Sequence, residues 1–464
     1  MSVLYLFGLI KQEGSLKMNN YLTEKKPLSA LIIFSLPIII GNLFQQLYTM
    51  VDSAVVGRYV GLTALAAVGA STSLTNIFIF VATGGGIGAS VIVSRYFGAK
   101  QYEKMKSSIY TAMISFLAIS VVLAVIGLLC GRGIMILLKT PSDALDLATQ
   151  YLNIYFYGLP LLFMYNVISS MFNALGKSKI PLIFLIFSSV LNIVLDVYTV
   201  TELNMGVAGV AWATFIAQGI SALLSFVVLM LEMSRYKEKP EKVFDAKELS
   251  TMTKVALPSI LQQSTISIGL MLVQSVVNSF GSEVLAGFTA SMRVESLVIV
   301  PFIAIGNALS SYTAQNLGAD KEERVVKGYR TANVIVVVFA VIVCVFLLIC
   351  RIPIVDFFLG DESTPAAMDT GLGYITFMAG FYLLIGLKMA IDGVLRGAGD
   401  MTMFTIANLA NLAIRVILAV TLAPRFGVAF VWYAVPIGWF LNFAISFAEY
   451  KTGKWRKIYK SKVN

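Results

Sequence analysis

Asp52 is the residue whose type and setting most clearly promise chemistry. It sits in the stretch 35–57, SLPIIIGNLFQQLYTMVDSAVVG, an apolar run long enough to cross a bilayer. A carboxylate at membrane depth costs several kcal/mol unless it meets a partner, water or an ion, so it marks a functional site by default. The same stretch holds Gln45, Gln46 and Tyr48, and a proline at Pro37. Proline inside a helix removes one hydrogen bond and crowds the preceding turn, so Pro37 marks a hinge. A bendable helix with a titratable acid suggests a transporter.

The rest of the chain limits which chemistry is open. It has no histidine, so the commonest general base and metal ligand is missing and proton chemistry must rest on carboxylates. That also argues against a membrane-embedded enzyme, since no ordinary nucleophile–base set or His–metal cluster can be assembled. Cys130, Cys344 and Cys350 fall in apolar runs without metal-ligand spacing and read as small buried hydrophobes. Hydrophobic residues make up 58% and charged residues 13%, with a mean hydropathy of +0.83, which is the composition of an integral membrane protein. The net charge of +10 lies in loops and tails between apolar runs, a topology signal and not a nucleic-acid patch.

The elements that must position Asp52 are twelve apolar segments. They fall at about 28–57, 63–97, 107–131, 150–173, 180–200, 206–231, 253–280, 285–317, 328–350, 371–396, 401–423 and 428–450. Lysine and arginine collect beside alternate loops and both tails, so both termini are expected in the cytoplasm, with Lys139 and Arg351 among the few basic residues outside. Residues 1–17 precede a more ordinary start at Met18 and read as an upstream misread or a disordered tail. The expected division is an N-terminal tail (1–27), an N-lobe of six helices (28–231), a cytoplasmic linker (232–252), a C-lobe of six helices (253–450) and a basic tail (451–464).

The chain also repeats. Leu36-Pro37 matches Leu257-Pro258, ALAAVGAS from Ala64 matches VLAGFTAS from Val284, and RYFGAK from Arg95 matches QNLGAD from Gln315, all at an offset near 220 residues. Six helices per repeat is an even number, so the halves enter the membrane in the same direction. The glycine triple Gly84 to Gly86 has no phosphate-loop lysine after it and reads as a place of close helix packing.

With the paired Leu-Pro helices, the YxxVD run at Tyr48 to Asp52, the Gly-Ala ends at Gly98 and Gly318 and the LRGAGD run at Leu395 to Asp400, residues from about 28 to 450 resemble the multidrug and toxin extrusion (MATE) family. The resemblance implies an all-α membrane fold of two six-helix bundles in a V, and export of organic, cationic compounds in exchange for Na⁺ or H⁺, with no other cofactor. It further implies a monomer in the cell membrane with small organic molecules as its partners. In the branch with an N-terminal site, the acid and proline of the first helix are joined by an Asn-x-x-x-Asp pair and a threonine. Here those positions read Asp52, Pro37, Asn192, Asp196 and Thr214, and the glutamate that the other branch carries on its seventh helix is missing from 253–280.

Asn192 and Asp196 are four apart and share a helix face, and two carboxylates, an amide oxygen and a hydroxyl are hard ligands suited to Na⁺. If the acids approach without a metal ion, the same pair suits a proton, and residue types alone do not separate the two. Gln45 and Tyr48 line a substrate cavity or glue helices together. In the C-half, Lys388 and Asp392 at i, i+4 read as a self-neutralising pair near the cavity, with Asp392 a candidate second contact for substrate. Arg293, Glu295 and Arg415 are further charges in that half. The expected function is thus a secondary antiporter, with a lipid-linked oligosaccharide flippase of a related export fold as the alternative.

Overall fold

The computed structural model describes residues 20–138, 140–360 and 363–461, so the expectations for residues 1–17 and Lys139 lie outside the described residues. Every apolar segment becomes a helix: α1 (Pro27–Val55), α2 (Leu62–Gly98), α3 (Tyr102–Leu137), α4 (Ser142–Ala174), α5 (Lys179–Thr201) and α6 (Gly206–Met233) form the first half. The second half has α7 (Ala246–Asn278), α8 (Ser282–Gly318), α9 (Glu322–Leu359), α10, α11 (Met401–Phe426) and α12 (Ala429–Thr452). Among them α10 is not one straight rod. It has two arms, Pro365–Ala379 and Tyr382–Ala398, bent by 52° at Gly380 and Phe381, where the sequence promised a single span. Eleven spans and this bent pair make the twelve crossings of a multi-pass membrane protein.

Most helices outrun their apolar segments. The third, expected over 107–131, extends from Tyr102 to Leu137, since backbone hydrogen bonding runs on past the apolar segment through Lys104 and Lys106 at one end and Arg132 at the other. Leu129, Ile349 and Phe357, on α3 and α9, are at least 75% exposed, which is tenable only against lipid tails.

The repeat is written into the backbone. Gly61 and Gly281, with φ of 111° and 98°, separate α1 from α2 and α7 from α8, and Lys100 and Asp320, with φ of 58° and 55°, turn the chain after α2 and α8. Helix partners correspond as well: α1 packs on α5 as α7 packs on α11, and α2 packs on α4 as α8 packs on α10. Between the halves, α2 lies against α7 and α8, and α1 lies against α8.

The halves come closest where α2 and α8 end. A Cβ on Gly98 would collide with the backbone of Gln315, and one on Gly318 would collide with that of Arg95, so only glycine permits this reciprocal approach. Gly84, from the glycine triple, likewise lets α2 meet the backbone of Ile260 on α7. Gln315 Nε2 donates to Ala174 O at 2.7 Å across the same junction.

The connection between the halves is shorter than the sequence suggests. Helix continues to Met233 and resumes at Ala246, where the Asp245 side chain caps α7 by accepting from Lys247 N–H at 2.8 Å. That bond holds the Asp245 carboxyl below the usual carboxylate range. The strap is fastened to α3, because buried Lys106 Nζ donates to Tyr236 O and Glu238 O, each at 2.7 Å.

Candidate functional site: an acid pair above an interlobe cavity

The first-half acids meet. Asp52 on α1 and Asp196 on α5 bring their carboxyls within hydrogen-bonding reach of each other, and Asp196 is wholly buried. Helix spacing puts Tyr48 one turn before Asp52 and Asn192 one turn before Asp196, so each helix presents a polar pair to the other. With its amide nitrogen facing Asp196, Asn192 donates to Asp196 Oδ2 at 2.9 Å and to the Tyr48 hydroxyl at 3.2 Å. Its oxygen then accepts from Thr214 N at 3.1 Å and Thr214 Oγ1 at 3.2 Å on α6. The four residues the family resemblance assigned are therefore one cluster. In this arrangement Asn192 serves Asp196 as a donor while its oxygen accepts from Thr214.

Two acceptors in the cluster remain open. Asp52 Oδ1 and Asp196 Oδ1 are buried without a hydrogen-bond partner. Two carboxyls in contact repel unless a proton or a cation lies between them, so these oxygens are the positions that such a species would satisfy. Beyond the pair, an apolar cluster of Val56, Ala64, Val200, Val207 and Val210 covers the site toward the end of the bundle opposite the linker. Immediately after Asp52 the helix loosens into a π turn, Val56–Val60, a distortion common at functional positions and with no signal in the sequence.

Toward the linker end a cavity opens between α1, α2, α4, α5 and α8. Pro37 and Gln45 line it, so the hinge candidate and one substrate-cavity candidate face the same space. Tyr48 does not; it belongs to the acid cluster. The wall is otherwise rich in neutral polar side chains, including Asn166, Ser170 and Asn173 from α4 and Asn307 and Ser310 from α8, and among the described residues no charged side chain lines it.

A family model named MatE matches the chain twice, over residues 37–198 and 258–421, starting in each half at the repeated proline. The chain belongs to the MatE family. It is 29% identical over 438 residues to the probable multidrug resistance protein YpnP of Bacillus subtilis, covering 94% of this chain and 97% of that one. The probable multidrug resistance protein YoeA of the same organism is 26% identical over 440 residues, with 92% and 93% covered. Among solved structures, a MOP superfamily transporter from Pyrococcus furiosus superposes with a TM-score of 0.88 at 24% identity, covering 95% of this chain and 99% of that one. MatE proteins are transporters, not enzymes.

In this MatE chain Lys388 and Asp392 form the self-neutralising pair that their spacing implies, and the candidate substrate contact at Asp392 is not met. Asp392 does not line the cavity; it is 2% exposed, and both its oxygens are engaged. Lys388 Nζ lies 2.9 Å from Oδ2, Asn408 Nδ2 donates to Oδ2 at 3.3 Å, and Ser446 Oγ donates to Oδ1 at 3.0 Å. Lys388 is equally buried, which makes the pair a structural element of the C-half core. Glu295 is tied there too, accepting from the Tyr374 hydroxyl. Sequence reasoning missed Arg396, one helical turn beyond Asp392. Its spacing at i+4 from the acid was visible, but its partners Asn307 and Ser310 lie on α8 and are reached only through the fold.

Proposed function

We propose that this protein is a multidrug efflux antiporter, exporting organic, cationic compounds through the interlobe cavity in exchange for protons held at Asp52 and Asp196. The observation that carries the reading is the direct approach of the two carboxyls with one open oxygen on each. Direct contact is the geometry of a shared proton, whereas Na⁺ would part the carboxyls and recruit further oxygens. The cavity lies on the linker side of the pair, which faces the cytoplasm in this reading, and Gln45 stands two turns along α1 from Asp52.

Exchange follows if the two ligands prefer different states. A proton at the pair allows α1 and α5 to close together. Its loss leaves two repelling charges that part the helices and attract a cationic drug. Pro37 supplies the place where α1 yields, since its missing N–H leaves the carbonyl one turn earlier free. The test is drug movement by the purified full-length protein in liposomes under imposed gradients. Drug accumulation driven by a pH gradient and lost in Asp52→Asn and Asp196→Asn is expected; accumulation driven only by a Na⁺ gradient would replace the proton with Na⁺.

A further inference from the structure

Hydroxyls on the two sides of the cavity spend their hydrogens differently. On the first-half side four hydroxyls direct their hydrogens into backbone: Ser90 to Ile87 O, Ser170 to Asn166 O, Ser178 to Phe34 O and Tyr165 to Pro181 O. What they present to the cavity is lone pairs. On the α8 side Arg396 stands behind the wall. The guanidinium is 5% exposed and makes no ion pair within 4 Å among the described residues; its Nη2 donates to Asn307 Oδ1 at 2.7 Å and its Nε to Ser310 Oγ at 3.3 Å. Arg396 thus takes up the acceptor side of both residues. The Asn307 amide N–H₂ and the Ser310 hydroxyl hydrogen are left with no protein acceptor among the described residues, and both side chains line the cavity.

The charge behind that wall is not cancelled. Lys388, Asp392 and Arg396 follow one another at i, i+4 and i+8, one acid between two bases, and Asp392 is already paired with Lys388 at 2.9 Å. A donor polarised by a guanidinium at membrane depth favours an acceptor carrying negative charge. Among the described residues no acid lines the cavity to oppose such a group.

We propose that Asn307 and Ser310, held by Arg396, form a specificity subsite that donates hydrogen bonds to a carboxylate of the exported compound. The preferred cargo is then zwitterionic: its cationic end is drawn toward Asp52 and Asp196 and its carboxylate lies on α8. This rests on the reading of the cavity as the drug site.

The test uses two dyes of one scaffold, rhodamine B with its free carboxylate and rhodamine B ethyl ester without it, binding to the full-length protein in detergent and followed by fluorescence anisotropy. The wild type is expected to bind the acid tighter than the ester by on the order of tenfold, the worth of one charge-assisted hydrogen bond. Asn307→Asp keeps the shape and a partner for Arg396 but replaces the donor with an acceptor. It should bring the ratio to one or invert it, with a monodisperse elution profile and an unchanged thermal midpoint reporting that the variant is folded. Ser310→Ala should lower the ratio a few-fold. Equal affinity of the wild type for the two dyes, or a preference for the acid that Asn307→Asp leaves untouched, overturns the subsite while drug binding stands. Failure of both dyes to bind the wild type would remove the drug cavity itself, and the subsite with it.

Discussion

Gly98 offers a direct handle on alternating access. Its α-carbon faces the backbone of Gln315, so a methyl group there would lie 2.7 Å from Gln315 C and 2.8 Å from its Cα, closer than any real contact of that kind. Backbone cannot rotate away as a side chain can, so Gly98→Ala must push α2 and α8 apart. Overpacking of this kind costs about 1–3 kcal/mol. The cost applies only while the linker ends of the halves touch; a state in which they have separated is unaffected. The equilibrium should therefore move toward the separated state by roughly 5- to 140-fold. Spin labels at Lys104 and Lys327, both exposed and on opposite halves, would read this as growth of a longer-distance population by pulsed electron spin resonance. The background must lack Cys130, Cys344 and Cys350. Gly133→Ala is the control, since a Cβ there meets nothing within 4 Å. An unchanged distance distribution in folded Gly98→Ala protein would show that separation at this junction is not part of the cycle.

Other outcomes follow from the same geometry. Asp392→Asn strands the buried ammonium of Lys388, and a broken buried pair costs about 3–5 kcal/mol, so a sharp fall in thermal midpoint and folded yield is expected instead of an altered drug preference. The double change Lys388→Met with Asp392→Leu should recover most of that loss; no recovery would mean that the pair has a role beyond mutual neutralisation. Pro37→Ala restores a backbone hydrogen bond in α1 without touching the acid cluster, fifteen residues or about 22 Å away along the helix. It should retain drug binding in detergent and slow transport in liposomes, and transport at the wild-type rate would make Pro37 a static kink.

How much of this was legible in the sequence depends on the range of the signal. Asp52 stood out because its neighbours are apolar, and Asn192 and Asp196 because four residues make one helical turn; both are local facts. Twelve spans were countable because lipid demands long apolar runs, and the 220-residue repeat survived in glycines whose positive φ admits few other residues. The bend of α10 was hidden because Gly380 and Phe381 lie in an apolar stretch that gives no break in hydropathy. Asp392 was misjudged as a cavity residue because its burial depends on Asn408 and Ser446 from two other helices. The donor wall of the cavity was invisible for the same reason, since Arg396 stands 86 and 89 residues from the side chains it orients.

Proton counting on drug binding tests the coupling at Asp52 and Asp196 most directly. In weakly buffered detergent solution near neutral pH, with a pH-indicating dye, addition of a saturating cationic drug to the wild type should release about one proton per protein, because drug and shared proton favour different arrangements of α1 and α5. Asp52→Asn and Asp196→Asn should bind the drug with little or no release. Tight drug binding by the wild type with no proton released, or equal release from Asp196→Asn, would contradict proton exchange at this pair.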